Sequence, residues 1–178
     1  MFVSHLESAL DGTQLPANQL QTLHRDRPLW VRYNLNAVGR WFEKEKLRDR
    51  EPTMWRYREL LPLPNGVRPV SLGEGMTPLL ECSRLGEQFG LRDVWIKDES
   101  HLPTGSFKSR GLAMAITMAK HFRVKRVALP SAGNAGGAAA AYAARAGMEC
   151  FVFMPEDTPV STSTSASLPA RRRFSSTG

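Results

Sequence analysis

Between residues 94 and 154 the chain alternates short apolar runs with longer segments of helical period. That order restricts the available architectures more than any other feature of the sequence. Val94, Trp95 and Ile96 predict a short buried strand. Residues 106–121 predict a helix with an apolar stripe at Leu112, Ile116, Ala119 and Phe122. Residues 127–129 predict a second strand, and residues 135–146 a small-residue helix ended by Gly147. Residues 150–154 predict a third strand. Strand, helix, strand, helix, strand at this spacing implies parallel pairing with right-handed crossovers, and therefore the α/β class. The alanine-rich helix suits that arrangement, because small side chains let a helix lie close on a sheet.

Upstream the pattern is weaker. Residues 1–27 are polar and turn-rich, and residues 28–40 show no firm period. Residues 41–47 and 53–61 predict short helices; Thr53 is placed to cap the second, and Pro62 and Pro64 to end it. Trp55 and Leu60 are expected to pack this extension onto a larger body. Residues 71–80, SLGEGMTPLL, form a loop punctuated by Gly and Pro, and residues 83–89 a helix closed by Gly90. The expected organisation is an N-terminal extension over 1–70, an α/β region over 71–160 and a tail over 161–178.

Several function classes are disfavoured by composition. The net charge is +7, yet Arg171, Arg172 and Arg173 supply three of those charges in a tail without an acid. The remaining excess is interspersed with carboxylates, and no aromatic-interleaved basic patch occurs, so nucleic acid is not an expected partner. No run of about 18 apolar residues is present, so no membrane-spanning helix is expected. The start, MFVSHLESALDG, lacks a basic segment followed by an apolar one, so no secretory signal is expected. Cys82 and Cys150 form no CxxC and are expected to be buried free thiols of a cytoplasmic protein. The tail, STSTSASLPARRRFSSTG, departs from everything before it. It reads either as a flexible end or as the product of a frame change near residue 160, and the second is preferred.

The chemistry is concentrated in residues 97–111, KDESHLPTGSFKSRG. The pattern puts Lys108 in the first turn of a helix, after a turn made by Pro103, Thr104, Gly105 and Ser106. Gly105 permits an unusual backbone angle, Ser106 is placed to cap the helix, and Phe107 to wall a planar ligand. A lysine at a helix N-terminus is disfavoured as a cation by the helix dipole. Only a neutral amine attacks an aldehyde, so the position suits a Schiff-base lysine. A second feature is residues 129–136, LPSAGNAG, a strand-to-helix turn whose backbone N–H groups converge as in an anion site.

PTGSFKxRG resembles the cofactor-lysine segment of the fold-type II pyridoxal-phosphate (PLP) enzymes. KDES, LGEGMTPLL and LPSAGNAG match the same group in the same order, and the resemblance covers roughly residues 25–160. It implies a three-layer α/β fold with a parallel sheet, partial here and incomplete at the C-terminus. It implies that Lys108 binds PLP covalently and later moves protons. It also implies that Phe107 lines the cofactor, that Asn134 bonds its 3′-oxygen, and that Ser131, Ala132, Gly133 and Ala135 grip the substrate carboxylate.

Within the group, RPLWVRYNLNAV, WRYRELLPLP, GEGMTPLL and LPTGSFK resemble the threonine synthase family. That resemblance implies conversion of O-phospho-L-homoserine and water to L-threonine and phosphate, with Thr104 and Arg110 as substrate or phosphate contacts. Arg110 reads equally well as one half of a structural ion pair. Full-length members are expected to be homodimers. Two positions depart from the family. Many members carry Asp where this chain has Ser109, which keeps a threonine/serine dehydratase as the alternative. The cysteine-rich start of some members reads HLESALDGT here, so His5 is expected to be a surface residue and no metal site is expected. The family's phosphate-binding glycine loop and its pyridine-nitrogen ligand lie later than this chain extends. The chain alone is therefore expected to bind PLP weakly and to be inactive, with a non-catalytic remnant as the rival reading.

Overall fold

The computed structural model describes residues 2–155; the expectations for the tail, 161–178, lie outside the described residues. The first unit is one the sequence reading did not anticipate. Strands β1 (Val3–Ser8), β2 (Gln14–Leu15) and β3 (Leu29–Tyr33) form an antiparallel sheet in the order β2-β1-β3. Its strands are too short and too polar to show an alternation. They are set instead by their turns and cross-strand pairs. The Ser8 carbonyl accepts from Gly12 N–H at 3.0 Å, and the Ser8 hydroxyl from Leu10 N–H at 3.1 Å. Across the sheet Leu6 faces Val31, and the Arg32 guanidinium pairs with the Glu7 carboxylate.

Helix α1 (Leu35–Trp41) follows, capped by the Asn34 side chain, which accepts from Ala37 N–H at 2.9 Å. This corrects the expected helix over 41–47. The Asn34 cap starts the helix earlier, extended backbone at Phe42 ends it, and a single 3-10 turn (Glu45–Leu47) is all that remains downstream. The expected helix over 53–61 is a pair of 3-10 turns (Met54–Leu60) broken at Tyr57, with the Thr53 hydroxyl accepting from Trp55 N–H at 3.3 Å as a cap. Trp55 is buried, as its proposed packing role requires, whereas Leu60 is exposed.

Strand β4 (Leu79–Glu81) pairs antiparallel with β5 (Trp95–Lys97), and α2 (Ser83–Phe89) lies between them in sequence, closed by Gly90 at φ 65°. The expectation that the strand near residues 94–96 joins a parallel sheet is therefore corrected. Its partner is the run just after the 71–78 loop, and both strands are exposed along their length.

From residue 108 onward the α/β reading holds closely. Helix α3 (Lys108–His121), β6 (Arg126–Pro130), α4 (Asn134–Ala146) and β7 (Glu149–Phe153) fall within one or two residues of the expected bounds. β6 and β7 pair in parallel with α4 as their crossover, and α4 packs against α3 and both strands. The core gathers Ala113 and Ile116 of α3, Ala139, Ala140, Tyr142 and Ala143 of α4, Cys150 of β7, and Met54, Trp55, Leu63 and Val70 of the extension. The buried stripe of α3 differs from expectation, running through Ser109, Ala113, Ile116 and Thr117. Two of these are polar, and each hydroxyl is bonded: Thr117 accepts from Val70 N–H at 2.9 Å, and Ser109 serves the turn described below. α4 sits so close to β7 that a Cβ on Gly136 would lie 2.8 Å from Val152 Cγ1. Cys150 is buried, which pushes its thiol up, while Cys82 is only half-buried. Among the described residues no helix is long and apolar enough to cross a membrane.

Candidate active site

The lysine turn is built from its own backbone and from one serine. Gly105 N–H donates to the Leu102 carbonyl at 2.8 Å, which closes the turn, and Gly105 sits at φ 67° as expected. Lys108 opens α3, with Phe107 before it in helical conformation. The Phe107 ring is exposed and lies 4.6 Å from the Lys108 ammonium nitrogen, so the aromatic wall and the amine are adjacent.

Ser106 does not cap the helix, which corrects that expectation. Its hydroxyl is buried and has no hydrogen-bond partner among the described residues. No side chain caps α3; Ser109, wholly buried in its first turn, bonds backward instead, its Oγ accepting from Thr104 N–H at 3.2 Å and lying 2.6 Å from Thr104 Oγ1. The Thr104 hydroxyl is thus held inside the turn.

Arg110 is committed to a carboxylate. Its Nε donates to Glu99 Oε2 at 2.5 Å and one amino group donates to Oε1 at 2.9 Å, a bidentate pair. The Arg110 hydrogen bonds, aided by one from Thr77 Oγ1 at 2.7 Å, hold the Glu99 carboxyl at about 2, well below the usual carboxylate range. This geometry favours the ion-pair reading of Arg110 over a substrate contact. Lys97 completes the cluster by donating to the Thr77 carbonyl at 3.0 Å.

The second loop, residues 131–135, lies between β6 and α4. Ser131 N–H donates to the Phe153 carbonyl at 2.9 Å and ties the loop to β7. Its hydroxyl accepts from Gly133 N–H at 3.3 Å and from Gly136 N–H at 2.9 Å. A side-chain oxygen therefore occupies the mouth of the helix, the place expected to receive an anion. Asn134 and Ala135 are the first residues of α4, where backbone N–H groups have no acceptor within the helix.

Among the described residues no direct hydrogen bond joins the lysine turn to this loop. The Ser109 hydroxyl lies near that of Tyr142, a residue of α4, the helix that the second loop opens. The lysine turn and the start of α3 carry Thr104, Phe107, Lys108 and Ser109, and the loop that opens α4 carries Ser131, Gly133 and Asn134. At the N-terminus His5 lies on β1 with Nε2 3.8 Å from a Glu7 carboxylate oxygen. Among the described residues no group of three His, Cys, Asp or Glu side chains is gathered for a metal.

Sequence reasoning missed Glu74. It is the one acid buried among the described residues, and it accepts from Trp55 Nε1 at 2.5 Å, Tyr142 Oη at 2.7 Å and Leu72 N–H at 2.9 Å. The available signal was a carboxylate between two glycines in a loop followed by Thr-Pro; its partners are 19 and 68 residues away, beyond any local pattern.

Residues 70–172 match the family described as pyridoxal-phosphate dependent enzyme. The threonine synthase of Methanocaldococcus jannaschii is 41% identical over 128 residues, 72% of this chain and 32% of the relative. That of Mycobacterium leprae is 47% identical over 100 residues, 56% of this chain and 28% of the relative. The chain thus spans about a third of the length of the curated relatives it matches. Among solved structures, a pyridoxal 5'-phosphate-dependent aspartate racemase superposes with a TM-score of 0.51 at 29% identity, over 55% of this chain and 32% of that one.

Proposed function

The chain belongs to the pyridoxal-phosphate-dependent enzyme family, and from that premise we propose that it is part of a threonine synthase-like lyase. The reaction is conversion of O-phospho-L-homoserine and water to L-threonine and phosphate. The observation that carries this reading is that the chain's curated relatives with high identity are threonine synthases.

The residues present suit the cofactor. Lys108 has an aromatic face beside it and no carboxylate partner among the described residues, and two residues before it the Ser106 hydroxyl is buried without a hydrogen-bond partner among those residues. PLP, when bound, supplies an electron sink for charge developing next to the substrate nitrogen. Lys108 holds the cofactor and carries a proton from one substrate carbon to another. Phe107 would cover the cofactor, and Asn134 would bond its 3′-oxygen. Ser131, Ala132, Gly133 and Ala135 receive the substrate carboxylate, with the dipole of α4 behind them. For that, the Ser131 hydroxyl must give up Gly133 and Gly136 N–H or share them with the carboxylate. Thr104 contacts substrate only by exchanging its bond to Ser109, and Arg110 acts by fixing Glu99. The division into an extension over 1–70 and a cofactor-binding region over 71–160 belongs to the same proposal. So do a cytoplasmic location and a homodimer for the whole protein.

Two measurements test this. The purified chain is mixed with PLP, reduced with borohydride and mapped by mass spectrometry. Label concentrated on Lys108 and lost in Lys108→Ala is expected; label spread evenly over the lysines refutes the assignment. A longer protein carrying this segment is then assayed for phosphate release from O-phospho-L-homoserine and 2-oxobutyrate release from threonine. Phosphate release alone is expected, and 2-oxobutyrate alone would make the protein a dehydratase.

A further inference from the structure

A buried carboxylate is costly unless several donors meet it, and Glu74 is met by donors from three separate segments. Trp55 belongs to the N-terminal extension, Leu72 to the 71–78 loop and Tyr142 to α4. The bonding does not stop there. The Tyr142 hydroxyl also lies near that of Ser109, both residues being wholly buried, and the Ser109 oxygen holds both Thr104 N–H and Thr104 Oγ1. The donor inventory fixes the order of the protons. An ionised carboxylate only accepts, so Tyr142 must donate to Glu74. The Tyr142 oxygen is then free to accept from Ser109, and the Ser109 oxygen accepts from Thr104. Every hydrogen in the series points toward Glu74, and Lys108 sits between its last two members, Thr104 and Ser109.

The geometry points to Glu74 as a positioning residue for Lys108. It acts through Tyr142 and Ser109 to hold the turn over 103–109 in one conformation; this rests on the reading of Lys108 as the cofactor lysine. Apolar residues would fill the same space without direction. Only a directed series fixes the torsions of the turn, which a covalent cofactor site requires to within a fraction of an ångström. The negative charge is needed as well. A Gln at this position has one oxygen for obligate donors on two sides, so its amino group would meet either Trp55 Nε1–H or Leu72 N–H head on.

The test is made on the chain without cofactor and again with PLP as the probe. Amide hydrogen exchange is compared in wild type, Glu74→Gln and Tyr142→Phe. Tyr142→Phe removes one oxygen and keeps the ring, so it remains informative if Glu74→Gln unfolds. Exchange over 103–109 is expected to rise about tenfold in Tyr142→Phe, as loss of one buried bond of ordinary strength implies, with β6 and β7 unchanged. Borohydride-trapped PLP at Lys108, measured relative to Lys120 and Lys125 in the same sample, is expected to fall in both variants. Unchanged exchange over 103–109, or an increase spread evenly over the chain, overturns the proposal. If wild-type Lys108 traps no more PLP than Lys120, the cofactor reading fails instead, and the exchange result still reports on the series itself.

Discussion

The Glu99–Arg110 pair makes a quantitative prediction about acid stability. Hydrogen bonds from Arg110 first, and from Thr77, lower the Glu99 carboxyl from 4.5 to about 2. A folded-state value below the unfolded one means that the pair's contribution is fully present above pH 4.5 and is lost as pH falls toward 2. The full shift corresponds to a ceiling of about 3.4 kcal/mol, at about 1.36 kcal/mol per unit. The side chains are 25% and 32% exposed, so solvent screening reduces this to about 1–2 kcal/mol. Urea unfolding of wild type and Glu99→Gln at steps from pH 6 to pH 2.5 reads the effect. Other carboxylates titrate in both proteins, Glu59 with Arg50 among them, so only the difference between the curves belongs to Glu99. Wild type should be the more stable protein at pH 6, with the gap closing by about 1–2 kcal/mol at the acid end. Parallel curves would show that the bidentate geometry carries no net energy and would return Arg110 to the candidates for substrate binding.

Three further outcomes follow from local geometry. Gly136→Ala sets a Cβ 2.8 Å from Val152 Cγ1, a stiff β-branched neighbour, and should cost about 1–3 kcal/mol, seen as a lower thermal midpoint. Gly75→Ala meets the Thr53 backbone at 2.7 Å from a φ of +158°, so it should release the extension from the loop. Limited proteolysis within residues 48–66 should then be faster than in wild type. Burial first, and the Glu74 bond second, raise the Tyr142 hydroxyl above its ordinary value of 10.0. Its contribution is therefore complete below pH 10 and is lost at higher pH, and urea midpoints from pH 8 to 11 should fall more steeply in wild type than in Tyr142→Phe.

The half of the fold that the sequence made legible is the half with dense local signals. Over 108–153 each element is long enough to show its own period, and Gly147 marks a helix end by itself. The lysine turn was legible for the same reason, since Gly105 and Lys108 sit within four residues. Elsewhere the pattern misled. Val94–Ile96 looked like an interior parallel strand because three large apolar residues adjoin. Pairing with Leu79–Glu81 is a tertiary fact, and it leaves Trp95 and Ile96 exposed. β1–β3 depend on turn bonds from Ser8 and Asp11 and on pairing across some 25 residues, which no window over the sequence reveals. Ser106 is expected to cap the helix because serine is a favoured N-cap residue, but α3 begins at Lys108 and puts Phe107 in the cap position. Here the inward-facing Ser109 takes the bond to Thr104 and leaves Ser106 orphaned.

The two residues after Lys108 explain why a loop 30 residues upstream belongs to the site. In the proposed series Ser109 acts on Glu74 through Tyr142, and Arg110 reaches Thr77 through Glu99. Glu74 and Thr77 both lie in the GEGMT segment, three residues apart, so the first turn of α3 is tied to that segment by two routes. Either bond alone would leave the helix free to rock about the other. Together they fix both its height and its rotation, and Lys108 inherits that constraint because it precedes both anchors directly. The extension shares in it, since Met54 N–H donates to the Glu74 carbonyl at 2.6 Å and Trp55 to its side chain. Position along the chain therefore says little about which residues make a lysine usable. The carboxylates that fix its turn, Glu74 and Glu99, both precede it in sequence and both act through the two residues that follow it.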